Sequence, residues 1–316
     1  MKDKKAAITA PLFAAVILFL IPISEKLLMI TVKNDSDVLL SASAVQLFIF
    51  AIPMAFYCKI RNAEFIKYSK IRHLSLYDLP FTVATAFTYL FASIIILYVE
   101  FNLFSISAES TLTPVAVLDS DPLGVALAYV IIPAIVEEFF FRSVLISDYE
   151  AFNGPVAVII SSIFFAMLHF SFAQFPLYFI LGIILGTLTY VTGTTFPAML
   201  IHLVNNTAVI FFGKSISVFL RESSSSFILA FILVVAFMLS LLMMLSTMEN
   251  IYERRSALYE AGELPGSRSK MADSLSKAGK VNKGTESEAK LKTGAFLSPT
   301  FLLCICIFIL ITLDII

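Results

Sequence analysis

Between Ala151 and Gly213 the chain runs for 63 residues without a lysine, arginine, aspartate or glutamate. A helix needs about 20 apolar residues to cross a bilayer, at ~1.5 Å per residue against a hydrocarbon core of ~30 Å. The stretch is too long for one crossing and too apolar for the surface of a soluble protein. It has to be several crossings joined by turns. AQFP at 173–176 and TGTTFP at 192–197 carry turn-forming residues, which predicts spans at 155–172, 176–191 and 196–212.

The other apolar runs follow the same pattern. Ala6–Ser24, Val38–Cys58, Leu79–Val99, Pro122–Ile146, Phe227–Met248 and Thr293–Leu313 each have crossing length. The basic start MKDKK leads into the first run, but no small-residue cleavage site closes it, so it reads as an uncleaved span. None of the runs alternates with the period of two that a membrane barrel requires. The expected fold is all-α: a polytopic transmembrane helical bundle of about nine spans. Composition agrees, at 59% hydrophobic and 14% charged, against about half and a quarter in soluble domains. A net charge of −1 offers no basic field for nucleic acid. Cys58, Cys304 and Cys306 have no spacing that suggests a disulfide framework.

Cationic residues concentrate on the cytoplasmic side of membrane proteins. Residues 1–5, the loop 59–72 and the linker 249–292 together hold seventeen of the 22 Lys and Arg. Lys33, Lys214 and Arg221 fall on the opposite side. The amino terminus is therefore expected in the cytoplasm, and the loop 100–120 outside. The chain divides into a three-span region (1–120), a four-span core (121–213), an eighth span (214–248), a polar, disordered cytoplasmic linker (249–292) and a last span (293–316).

Charges inside a span cost about 2.5–3.5 kcal/mol each on insertion scales, so they mark chemistry or tight pairing. The fourth span reads PAIVEEFFFRSVL. Glu138 and Arg142 are four apart, share a helix face and can pair. Glu137 points about 100° away and has no local cation, so it is free to take a proton from water. Pro133 cannot donate to the carbonyl of Tyr129, which predicts a kink and a freed carbonyl nearby. Two of the three histidines lie in the apolar stretch: His169 in the fifth span and His202 in the seventh. His202 and Asn206 share a face and can donate to a developing oxyanion. Two histidines and a carboxylate could instead hold zinc through His169, His202 and Glu137, although the spacing lacks the H-E-x-x-H helix and no cofactor is favoured.

Three short patterns, E-E-x-x-x-R at Glu137–Arg142, F-x-x-x-H at Phe165–His169 and H-x-x-x-N at His202–Asn206, follow one another in this order. The set resembles the CAAX protease and bacteriocin-processing family, also called Abi or type II CAAX prenyl endopeptidase-like. The resemblance covers about 122–213. It implies an intramembrane endopeptidase in which Glu137 activates water and His169 assists or binds a metal. His202 and Asn206 would hold the oxyanion, with Glu138, Arg142 and Phe165 in support. The implied partners are membrane lipid and a peptide or protein substrate, lipidated or not. The implied location is a membrane, a bacterial cell membrane being favoured over endoplasmic reticulum, with the site open to the cytoplasm. Two other classes compete. A proton- or metal-linked transporter could use the same polar residues, but there is no inverted repeat. A non-catalytic scaffold could use them to lock helices together while binding a partner protein.

Overall fold

The computed structural model describes residues 2–31, 35–60, 70–71, 73–104, 121–150, 153–223, 226–260 and 298–313. Every regular element among them is helical: α1 (Lys2–Thr31), α2 (Asp35–Ile60), α3 (Leu79–Phe104), α4 (Pro122–Tyr149), α5 (Gly154–Met167), α6 (Phe175–Thr192), α7 (Phe196–Glu222), α8 (Phe227–Glu260) and α9 (Pro299–Thr312), with a 3₁₀ turn at Leu76–Asp78. Each expected apolar run coincides with one of these helices. Six of them, α2, α3, α4, α6, α7 and α8, are long and apolar enough to cross a membrane, while α1, α5 and α9 hold shorter apolar stretches. The chain is a multi-pass integral membrane protein.

The boundary expected at Met248 moves. α8 continues to Glu260, so residues 249–260 are helical and not part of a disordered linker. The helix persists because it has something to pack on. Ile251 is buried, Tyr252 packs against the same cluster, and the Arg254 guanidinium carbon lies 3.1 Å from the centre of the Tyr77 ring. The expected linker from 261 to 292, the outer loop from 105 to 120 and residues 61–69 lie outside the described residues.

Buried side chains form two main bodies. One joins α1, α2, α4, α5 and α9. The other joins α3, α6 and α8. Their seam is the α5–α6 pair, the most extensive helix contact, while α8 lies along α3 and α9 along α1. Glycine lets the seam close. A Cβ on Gly182 would stand 3.0 Å from Ser162 Cβ, and one on Gly186 3.0 Å from Val158 Cγ1. Small residues permit such close backbone approach between membrane helices, where dispersion and not hydrophobic collapse drives association.

Contacts between connections show which helix ends lie together. Thr195 N–H donates to the carbonyl of Lys70 at 3.0 Å, and the Lys70 ammonium pairs with Glu150. Ser143 and Thr195 share a hydroxyl hydrogen bond of 2.7 Å. The α2–α3, α4–α5 and α6–α7 connections thus meet at one end of the bundle. At the other end, the Tyr98 hydroxyl donates to the carbonyl of Ser226.

Candidate active site

The site is built on an irregular helix. Asp121 caps α4 by accepting from Gly124 N–H at 2.9 Å. From there the helix is π-helical over Ala126–Ile131, α-helical over Ile132–Glu138 and π-helical again over Phe139–Leu145. Such wide turns are rare and tend to occur where a helix carries function. They lie on both sides of the two-turn segment that holds Glu137 and Glu138. The irregularity anticipated at Pro133 therefore takes the form of π turns, and the backbone polar groups around them find partners on neighbouring helices. Asn206 Nδ2 on α7 donates to the carbonyl of Tyr129 at 3.4 Å, the carbonyl that Pro133 cannot serve. Ser161 on α5 donates to the carbonyl of Phe141 at 2.7 Å. In lipid, backbone groups released from a helix must be satisfied within the protein.

The two adjacent glutamates have different surroundings. Glu138 is fully buried. Its Oε2 lies 3.1 Å from Arg142 Nε, and its Oε1 accepts from His202 Nδ1 at 3.0 Å. The pairing with Arg142 follows from the helical spacing. The bond to His202 crosses from α4 to α7, and no spacing along the chain reveals it. Arg142 is also fully buried, with its guanidinium carbon 4.2 Å from the centre of the Phe165 ring. Its terminal nitrogens find no hydrogen-bond partner among the described residues. Glu137 keeps 8% of its surface exposed and forms no hydrogen bond or ion pair with the described residues. His202, Glu138 and Arg142 lie within electrostatic reach of it.

His169 is not inside a helix. α5 ends at Met167, about 21 Å from its start at 1.5 Å per residue, which is shorter than a bilayer core. The chain then turns through 168–174 before α6 begins. His169 N–H donates to the carbonyl of Ala166, Phe170 N–H to that of Met167, and Phe170 adopts φ 44°. A left-handed conformation costs a side-chain-bearing residue about 1–2 kcal/mol, and it persists only where the surroundings fix it. The expected fifth span over 155–172 is corrected accordingly. Nothing in LHFSFA marks a helix end, because the residue that terminates the helix is a phenylalanine where glycine would be usual.

The aromatic ring of Phe165 ties these parts together. It meets His169 edge-on at 5.2 Å and His202 at 5.8 Å between centroids, besides lying under Arg142. Glu138, Arg142, Phe165, His169 and His202 thus form one connected cluster drawn from α4, α5, the turn after α5, and α7. Asn206 stands one turn along α7 from His202. Sequence reasoning missed Tyr178 of α6, whose ring stacks on His169 with centroids 3.3 Å apart and planes 16° apart. A tyrosine in an apolar helix gives no signal of such a role.

Hydrogen-bond partners fix the ring tautomers. A carbonyl can only accept, so His169 Nδ1, 3.0 Å from the Phe165 carbonyl, carries a proton. The Glu138 carboxylate imposes the same on His202 Nδ1. Both imidazoles therefore present Nε2 to other partners. That nitrogen accepts when the ring is neutral and donates when the ring is doubly protonated. Among the described residues no three His, Cys, Asp or Glu side chains approach closely enough to hold a metal ion.

Residues 119–208 match the family described as type II CAAX prenyl endopeptidase Rce1-like, which supports the CAAX protease family. The match covers under a third of the chain and includes every residue of the cluster. No curated protein and no solved structure matches the chain.

Proposed function

With residues 119–208 matching the family described as type II CAAX prenyl endopeptidase Rce1-like, we propose that this chain is an intramembrane endopeptidase that hydrolyses a peptide bond in a membrane-associated or lipidated protein or peptide. The observation that carries the reading is the contrast between neighbouring carboxylates. Glu138 is held by two partners, whereas Glu137 is uncommitted and keeps some exposure.

The proposed chemistry assigns one role to each group. A water molecule held by Glu137 and by His169 Nε2 attacks the scissile carbonyl carbon, and its proton passes to the Glu137 carboxylate. The resulting oxyanion is held by Asn206 Nδ2–H and by Nε2–H of His202 in its doubly protonated form, with Nδ1–H on Glu138. The carbon–nitrogen bond then breaks, and Glu137 returns the proton to the departing amine. A new carboxyl terminus and a new amine result. Arg142 and Phe165 keep Glu138 and the two imidazoles in register. The amino terminus is proposed to lie in the cytoplasm with the site opening to that side, which protease digestion of sealed vesicles decides.

Replacing Glu137 with Gln keeps the shape and removes the base. Turnover is expected to fall by about a hundredfold or more, with unchanged thermal unfolding of the purified protein. Peptides whose new carboxyl termini disappear from the membrane proteome of that variant identify the substrate. A variant that turns over like the wild type removes the mechanism. The ion pair of Glu138 with Arg142 and its bond to His202 also suit a scaffold in which polar residues only lock helices, and that reading expects no proteolytic difference between the two proteins.

A further inference from the structure

His169 sits in a turn, so the hydrogen bonds of a helix do not hold it. Its orientation depends on three contacts: Nδ1–H to the Phe165 carbonyl at 3.0 Å, the edge-on Phe165 ring at 5.2 Å, and the Tyr178 ring stacked face to face at 3.3 Å. The first fixes one edge of the imidazole but leaves it free to rock out of plane. The second touches it along one side. Among the described residues only Tyr178 lies across a whole face of the ring.

Tyr178 is well placed to act as a fixed surface. It belongs to the first turn of α6, its ring also meets Phe165 at 6.2 Å, and α6 is pressed against α5 at Gly182 and Gly186. Aromatic contacts of this kind contribute about 0.5–1.5 kcal/mol beyond the area they bury. That is enough to shift a ring between two orientations by roughly 2- to 12-fold, at about 1.4 kcal/mol per factor of ten.

We propose that Tyr178 is a positioning residue that holds His169 in one orientation, with the proton on Nδ1 and the Nε2 lone pair turned to the reacting water. The hydrolytic part of this statement rests on the function proposed above; the orientation of the ring does not. The ring face is what acts, so Phe at this position preserves the effect and an aliphatic residue removes it.

The chain has three histidines, His73, His169 and His202, so ¹⁵N-histidine labelling of the full-length protein in nanodiscs resolves each ring. In the wild type and in Tyr178→Phe, His169 is expected to show one set of nitrogen signals, with Nδ1 protonated and Nε2 bare. In Tyr178→Leu those signals move toward the average of two tautomers, while His73 stays unchanged. Tyr178→Met takes the place of the Leu variant if the latter does not fold. A fluorogenic peptide bearing a prenylated cysteine supplies the second readout. Tyr178→Leu should lower kcat about tenfold with KM within twofold and displace the pH-profile limb that His169→Ala abolishes, whereas Tyr178→Phe stays within about threefold of wild type. Unchanged His169 signals in both aliphatic variants overturn the proposal. A wild type inactive on the probe speaks against the proposed function alone, and the nitrogen signals still decide the role of Tyr178.

Discussion

α4 and α8 each offer 28 residues able to cross a membrane, yet 56% of the crossing stretch is buried within the protein in α4 and 17% in α8. The buried helix is the more polar of the two. α4 carries Glu137, Glu138, Arg142 and Ser143, all enclosed. α8 turns Phe231, Ile232, Met238, Leu239, Leu242 and Met243 outward and keeps Ser240 inward. In water the order would be reversed. In lipid an apolar side chain gains little by leaving its solvent, whereas an unsatisfied polar group loses several kcal/mol by entering it. What holds α4 at the centre is therefore its chemistry, and what lets α8 lie at the edge is its lack of any.

Four variants test this contrast. The largest effect is expected for Glu138→Ala. It leaves Arg142, already short of partners at its terminal nitrogens, as an uncompensated buried cation, which costs about 3–5 kcal/mol. The yield of folded protein in detergent should collapse. Replacing both Glu138 and Arg142 with Leu should restore it, since an apolar pair in place of a buried ion pair is often neutral. Next, Leu239→Lys places a charge on the lipid face of α8 at a cost of about 2.5–3.5 kcal/mol, read as reduced membrane insertion. If Lys is accepted there as readily as Arg142 is in α4, the contrast between the helices is lost. The smallest effect belongs to Leu239→Ala. A truncation facing lipid should change thermal stability by less than about 0.5 kcal/mol, and a larger loss would show that α8 is packed against something in the membrane.

The same solvent argument explains what the residue order disclosed. Each of the nine apolar runs overlaps a helix, six of them long and apolar enough to cross a membrane, and lipid tolerates no other open-ended element. Glu138 and Arg142 were paired by spacing alone, and Glu137 was left over by the same spacing. The remainder is tertiary. The bond from Glu138 to His202 joins residues 64 apart, and the stack of Tyr178 on His169 leaves no periodic trace. Pro133 predicted a free carbonyl at Tyr129 but could not name Asn206 as the group that takes it. The end of α5 leaves no mark in the residue order because apolar residues continue through it, and the break lies in the backbone of Phe170. The end of α8 was placed too early because helix propensity outlasts hydrophobicity where Ile251, Tyr252 and Arg254 find partners.

The turn that carries His169 is packed against α9. Phe301 packs on Phe164, and Phe308 meets both Phe172 and Phe175, while Cys304 donates to the carbonyl of Pro11 in α1. His169 and Phe308 are 139 residues apart. At roughly 5–20 residues per second of synthesis, the nascent chain spends on the order of ten seconds with the histidine already made and its brace not yet translated. Maturation of this centre is therefore an ordered event in time, in which α1 waits for α9 and the proposed hydrolytic machinery becomes complete only once α9 has been made.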